Sequence, residues 1–456
     1  MTWTHGGTGT DIDPYLVPDA DALDDVRDYW GAGVYFLQTA DIDLTDYQAG
    51  AGWVPFTTDP NNRFSAHYDG DNFNIYNLLI VNHGARGTSL FGRCSGTLVN
   101  IKLSGNVTNN QLRTGILTGD LSNGHVENCH IEGNLVTTDR QSGGLTGVCE
   151  GACNIVNCSV DAEVTGGTLM GLFAGVVRTS TNFTDCYAKG ELNATSGGGF
   201  VGEINITTFG TGGEFTNCHT NADVNVTTGQ AGGFAHYNYR GTFIKCSASG
   251  NVISGGNDIG GFIGRSNNNG LFESCFASGD VQGEEKVGGF AGIIRDSVNV
   301  RNCYAKGDVT GDLYVGGLIG DIRTGAVVYN SYSIGKPTGN SEVGGLVGHK
   351  ESGTTTNSYW DIETSEIEVS DSGEGKTTAE MNNIDIFNTW DISTTDIQRN
   401  DGYPFLGWEV NLGDFVWYIS EPSGINSFYG NRKIIDAYYG RQKIDKAYYG
   451  KQKLYG

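Results

Sequence analysis

Five carboxylates recur at one point of a repeating sequence: Glu163, Glu191, Asp223, Asp280 and Asp308. Two carboxylates at a set separation are what glycoside hydrolysis needs. Here Asn251 interrupts the row, Asn106 and Asn134 precede it, and nothing singles out one pair. Such a row reads as a repeated solvated face, so no catalysis and no catalytic residue is expected. Like charges at strand spacing repel unless calcium bridges them or side chains turn away. Outward carboxylates usually stay hydrated, and no metal or other cofactor is expected. The histidines number 8 and are scattered, so no nucleophilic triad stands out.

A second stretch, "DSGEGKTTAE" over residues 371–380, suggests a phosphate-cradling loop. Such a loop needs a glycine five residues before its Gly-Lys-Thr and a buried strand ahead of it. Position 370 is Ser370, and the preceding "YWDIETSEIEVS" is acidic and polar. A nucleotide site is therefore not expected.

The third candidate is sulfur. Cys129, Cys158, Cys186, Cys218, Cys246, Cys275 and Cys303 recur at steps of 28 or 29 residues, with one step of 32. Ile101, Ser331 and Ser358 keep the same phase. Stacked side chains pointing one way are poorly placed for disulfides. His130 and His219 each follow a cysteine, so on a strand they face away from it and cannot share its metal. The cysteines read as reduced, small core residues. Cys149 and Cys153 form the pair most able to bridge locally.

What would position these residues is the repeat itself. Around Cys303, Ala305, Gly307 and Val309 alternate with Tyr304, Lys306 and Asp308, the period of a half-buried strand. A second motif keeps the same phase: "GGLTG" at Gly143, "GGFVG" at Gly198, "GGFIG" at Gly260 and "GGLVG" at Gly344. One repeat cannot bury its apolar face alone, and stacking closes both core and backbone ladder. The fold expected is all-β: a right- or left-handed parallel β-solenoid of about ten coils with capping modules and a small C-terminal β repeat. Its small inward residues, among them Cys246, Ala248, Gly250 and Val252, imply a narrow core. Composition agrees, since 71 glycines against 7 prolines suit many short turns.

The glycine motif resembles the GLUG motif of β-solenoid surface proteins. The stretch with Asp41-Ile42-Asp43-Leu44 and the Asp69-Gly70 turn resembles the N-terminal module of such proteins. "SYWDIETSE…GEGKTTAEM…YPFLGW" resembles their closing module. The resemblance covers roughly residues 20–408 and implies an adhesin or phage fibre-like protein, without catalysis. "GEGKTTAEM" then belongs to a cap that hides a sheet edge. "DADALDDVRDYW", Asp19–Trp30, reads as an N-capped helix for the other end. The organisation expected is an N-terminal capping module over 1–95, the solenoid over 96–358, a C-terminal capping module over 359–424 and a tail over 425–456.

The tail repeats Tyr-Gly at Tyr429, Tyr439 and Tyr449 and carries seven basic residues against two acidic ones, in a chain of net charge −24. Strand, glycine turn, strand is its natural reading. Phe428, Tyr438, Tyr448, Lys433 and Lys443 are its candidate docking residues, basic so as to meet an acidic partner.

The residue after each inward Cys or Ser gives the candidate binding row: Tyr187, Phe276, Tyr304, Tyr332 and Tyr359. Aromatic side chains on an outward face could grip sugar rings or a neighbouring subunit. The acidic balance argues against nucleic acid as a partner. No stretch approaches the ~20 apolar residues of a membrane span, and no secretory leader is visible at the start. The functional expectation is a phage virion protein, tail-fibre or spike-like, in the virion. Its partners would be other virion proteins, a host surface glycan or protein, or further copies of itself. A bacterial cell-surface adhesin and a polysaccharide-degrading tailspike are the alternatives.

Overall fold

The computed structural model describes residues 3–387 apart from 60 and 206–212, and beyond 387 only short segments. The chain divides into two compact units, Met1–Ala379 and Glu380–Gly456. The first is an all-β parallel solenoid of about eleven turns.

A full coil passes through four sheets. The first sheet has 13 strands, from Tyr15–Val17 to Thr354–Thr356. The second carries the carboxylate and aromatic rows and includes His130–Thr137 and Tyr187–Ala194. A third, of 8 two- to four-residue strands, holds the first glycines of the Gly-Gly motif. The fourth has 10 strands, from Arg93–Cys94 to Val347–Lys350. Parallel stacking already begins at Tyr15–Val17, within the stretch read as the N-terminal capping and entry module. The expected helix is present as Ala20–Asp25, capped by the Asp19 carboxylate, which accepts from Ala22 N at 2.9 Å.

The corner between the first and second sheets explains the repeat. The residue before each Cys or Ser is left-handed: φ is +54° at Asn128, +50° at Asn157 and +51° at Asn302. Asn tolerates that region better than most residues. Its amides also stack: Asn128 Nδ2 donates to Asn100 Oδ1 at 3.1 Å, and Asn157 Nδ2 to Asn128 Oδ1 at 2.6 Å. The following cysteine turns inward, and all ten cysteines are free and buried, Cys149 and Cys153 included. The Cys129 thiol donates to the Glu127 carbonyl at 3.3 Å, as the Ser331 hydroxyl does to Tyr329 at 3.0 Å. This shared donor role is why serine replaces cysteine in the column. Burial pushes the Cys218 and Cys303 thiols well up.

The core is wider than the small cysteine-side residues implied. Phe173, Phe200, Phe234, Phe262 and Phe290 stack where the third sheet turns into the fourth, with neighbouring rings 4.5–5.0 Å apart. Phe183, Phe215, Phe243 and Phe272 stack in the first sheet at 4.6–5.1 Å. The two columns meet edge to face, as at Phe234–Phe243, where the interplanar angle is 86°. Cys246, Ala248, Gly250 and Val252 are inward and buried, as expected.

The "GEGKT" stretch is the last rung. Glu374–Lys376 pairs in parallel with Tyr359–Asp361, and the Ser370 hydroxyl accepts from Val347 N at 2.9 Å. A strand paired in this way presents no loop for a phosphate.

In the second unit, Ile392–Ser393 pairs antiparallel with Phe405–Leu406. The tail forms three antiparallel hairpins, Ser427–Tyr429 with Arg432–Ile434, Tyr438–Tyr439 with Gln442–Lys443, and Ala447–Tyr449 with Gln452–Tyr455. These are the strands read from the tyrosine–glycine spacing; the glycines between them lie outside the described residues. The side chains of Phe428, Tyr438, Tyr448, Lys433 and Lys443 lie outside the described residues.

Candidate functional site

Register places the aromatic candidates in one column of the second sheet. Tyr187 lies beside His219, then Ser247, Phe276, Tyr304, Tyr332 and Tyr359 follow coil by coil. The last four residues form a continuous aromatic run. Phe276 and Tyr304 stack at 5.0 Å and 4°, Tyr304 and Tyr332 at 4.9 Å and 8°.

The expectation that this whole row faces outward for binding needs correction. Tyr304 is 2 % exposed and Tyr332 1 %. Coils one strand spacing apart bring parallel rings into contact, so each covers its neighbour's faces. Tyr187, Phe276 and Tyr359 remain half-buried. The late column braces the sheet, and only its margins present rings to solvent.

The carboxylate row is also in register. Glu163 pairs with Glu191, and Glu191 with Asp223. The short side chains turn along the rod and accept the next coil's backbone: Asn251 N donates to Asp223 at 2.9 Å, Asp308 N to Asp280 at 2.9 Å, and Lys336 N to Asp308 at 2.8 Å. These bonds turn the charges to structural use. No group of three His, Cys, Asp or Glu residues able to hold a metal occurs among the described residues.

The polar face is most open in the earlier coils. A shallow groove of about 370 Å³ is lined by Thr165, Asn193, Asn225, Thr227 and Ile253, among others. Asn193 and Asn225 both donate to Glu191 Oε1, at 3.1 and 3.0 Å. Ile253, 47 % exposed, supplies an apolar wall. A second groove, of about 450 Å³, is bordered by Asn77, Ser104, Asn106 and Glu132. Amides, hydroxyls and a carboxylate beside an apolar patch can meet the hydroxyls and the ring face of a sugar together.

Beside the second groove, His130 lies between Ser159 Oγ at 2.6 Å and Glu132 Oε1 at 2.7 Å. These are the atom types of a nucleophile, base and orienting acid. The strand holding Ser159 is paired in parallel on both sides, so its amides serve the ladder rather than an oxyanion. His219 makes a comparable bracket, to Ser247 Oγ at 2.9 Å and Asn217 Oδ1 at 3.1 Å, and burial pushes its pKa down to about 4. Sequence reading passed over both brackets and both grooves. Their signal was the polar residue type at alternate positions of consecutive coils.

No family model matches the chain. Over 134 residues it is 37% identical to a "Putative Gly-rich membrane protein" of Evansella cellulosilytica, covering 28% of this chain and 15% of that protein. Over 163 residues it is 32% identical to the halomucin of Haloquadratum walsbyi, covering 33% of this chain and 2% of that protein. The chain thus spans only a small part of either relative's length. Among solved structures it is similar to the crystal structure of a "putative immunoglobulin A1 protease" from Bacteroides ovatus. That likeness covers 88% of this chain and 94% of the other at 20% identity, with a TM-score of 0.32. No helix among the described residues is long and apolar enough to cross a membrane.

Proposed function

We propose that this chain is the exposed rod of a cell-surface protein and that the early coils of its second sheet bind an extracellular glycan. The observation that carries the proposal is the groove between Thr165 and Ile253, where Asn193 and Asn225 converge on Glu191 beside an exposed isoleucine. The names of the two relatives, a membrane protein and a halomucin, support a surface setting over a virion. The bonding of Asp223, Asp280 and Asp308 to backbone amides supports a binder over a hydrolase.

The test is a screen of the full chain against surface polysaccharides, followed by titration of any binder. Asn193→Ala with Asn225→Ala should weaken binding about tenfold, the loss of one or two well-placed hydrogen bonds. The melting temperature should stay unchanged. Unaltered affinity in that variant, or no glycan bound at all, overturns the proposal. Depolymerisation of a bound polysaccharide would favour the hydrolase.

A further inference from the structure

A different face of the molecule carries an unbalanced positive charge. Asp120 is fully buried in the fourth sheet, and three guanidiniums converge on it: Arg63 at 3.0 Å, Arg93 at 2.9 Å and Arg113 at 2.7 Å. Arg113 also reaches Glu150 at 2.7 Å, and Arg178 binds the same Glu150 oxygen at 2.8 Å. The segment carrying Arg86 packs against the group: Gly87 N donates to Leu112 O, beside Arg113, at 3.1 Å, and a Cβ on Gly87 would meet Arg93 Cγ at 3.0 Å. The backbones are pressed together here. A Cβ on Gly119 would meet Gly87 C at 2.3 Å and Arg113 O at 2.5 Å.

Four arginines are ion-paired to two carboxylates, and Arg86 stands next to them in the segment packed against Arg113, a surplus of about three charges in all, in a chain where acidic residues outnumber basic ones 52 to 28. Burial opposes a charge on Asp120, and the arginines outweigh it, holding its pKa below the usual carboxylate range. Asp120 and Glu150 together leave some guanidinium donors unused. Arg93 and Arg113 are 7 % and 4 % exposed, and the Nε of each has no hydrogen-bond partner among the described residues. Partial desolvation by the packed neighbours and then repulsion from Arg113 push the Arg86 pKa down. Arg86 is exposed, and Arg63 and Arg178 are partly so, which leaves the cluster reachable from solvent. Unused buried donors, a surplus above two charges and an accessible rim describe a receptor for a divalent oxyanion.

We propose that Arg63, Arg86, Arg93, Arg113 and Arg178 form a site for a tetrahedral dianion, a sulfate or phosphate group, with Arg86 as its outer clasp. The site lies on the fourth-sheet side and does not depend on the glycan groove. The group could come as a free ion or as an ester on a polymer, and the experiment separates these sources.

The full chain is titrated by calorimetry and thermal melting with sodium sulfate and with sodium phosphate, against sodium chloride at equal ionic strength. Parallel titrations use dextran sulfate and plain dextran. A saturable response to sulfate or phosphate, absent with chloride, is expected. Arg86→Gln should keep the anion-free melting temperature and weaken the dissociation constant about tenfold. Asn193→Ala with Asn225→Ala should leave the anion response untouched. A response to dextran sulfate alone, lost in Arg86→Gln, assigns the site to a polymer ester. A response to the small ions assigns it to the free ion. No saturable response to any of them, or an equal response in Arg86→Gln, overturns the site. Melting shifts that grow with salt without saturating, and are identical in both proteins, are the general stabilisation by excluded salts and count as the overturning result.

Discussion

Early and late coils of the second sheet share one repeat yet solve the same packing problem differently. Up to His219–Val226 the strand runs seven or eight residues without a break. From Ser247–Ala248 onward it stops after two residues and resumes at Val252, Val281 and Val309. Two columns change where the strand breaks. Glu163 and Glu191 give way to Asp223, still on an unbroken strand, and then to Asn251, Asp280 and Asp308 at the breaks, and the alternation of Gly133, Ala162, Gly190 and Ala222 gives way to the glycines Gly250, Gly279, Gly307 and Gly335. A short acidic or amide side chain can reach the next coil's amide; glycine lets the backbone bend to offer it. The early half keeps a flat, polar, open face. The late half gives that face to internal bracing by Asx caps and stacked tyrosines.

The largest expected effect comes from treating the late glycine column as if it were early. A Cβ on Gly307 would lie 1.9 Å from the Gly279 carbonyl oxygen. Gly307→Ala should cost more than about 4 kcal/mol, since the backbone of the preceding coil at Gly279–Asp280 must move. The reverse change in the early half, Ala222→Gly, should cost only about 1 kcal/mol, mainly chain entropy. Urea unfolding of the two variants checks the contrast. Equal costs would mean that the halves pack alike.

The tyrosines give the next contrast. Tyr304→Ala removes a buried ring stacked on both faces and should cost about 3 kcal/mol. Tyr187, half-buried and followed by His219 and Ser247 rather than by rings, should cost about 1 kcal/mol on the same change.

Acid should loosen the early half first. His236 is 3 % exposed, its Nδ1 has no partner among the described residues, and burial pushes its pKa down to about 4. In the unfolded chain that imidazole titrates near the ordinary histidine value of 6.5. The unfolded state then binds a proton that the folded state refuses, so stability falls as pH drops from about 6.5 to about 4 and then levels. The loss for His236 is about 3 kcal/mol. His236 stands where neighbouring coils carry Gly202 and Gly264, so His236→Gly should remove much of this slope. His219 adds in the same direction. Hydrogen exchange at pH 7 and pH 5 should show protection lost around residues 219–239 before residues 304–333.

How much of this contrast the sequence disclosed follows from periodicity. The 28- to 29-residue step gave the solenoid and the inward Cys246 and Ala248, because stacking depends only on residue type at a repeated position; the cap reading of "GEGKT" rested on the family resemblance instead. The Asn128 and Asn157 corner was equally repeated, but its meaning lies in a left-handed φ. The burial of Tyr304 escaped notice because alternation assigns a face and not an exposure. The Arg113–Asp120 cluster joins residues from Arg63 to Arg178 across several coils, with no motif to mark it.

The smallest effect tests whether side-chain length decides where the strand breaks. Asp280 accepts the Asp308 amide, and Asp280 N is itself bonded to the Asn251 side chain at 2.9 Å, so the caps form a chain along the rod. Removing one acceptor by Asp280→Ala leaves an amide to solvent at an exposed position, worth about 1 kcal/mol. Asp280→Glu keeps the charge and adds one methylene. If charge alone mattered, the glutamate would behave as the wild type. If reach matters, its carboxylate overshoots the amide of the coil above, and the variant should lose nearly as much as the alanine. In the row glutamate occurs only on unbroken strands, at Glu163 and Glu191; Asn106, Asn134 and Asp223 also stand on unbroken strands, and Asn251, Asp280 and Asp308 stand at the breaks. Chemical denaturation of the wild type and both variants decides it: a glutamate variant as stable as the wild type would mean that glycine alone sets the break, and that the caps merely follow.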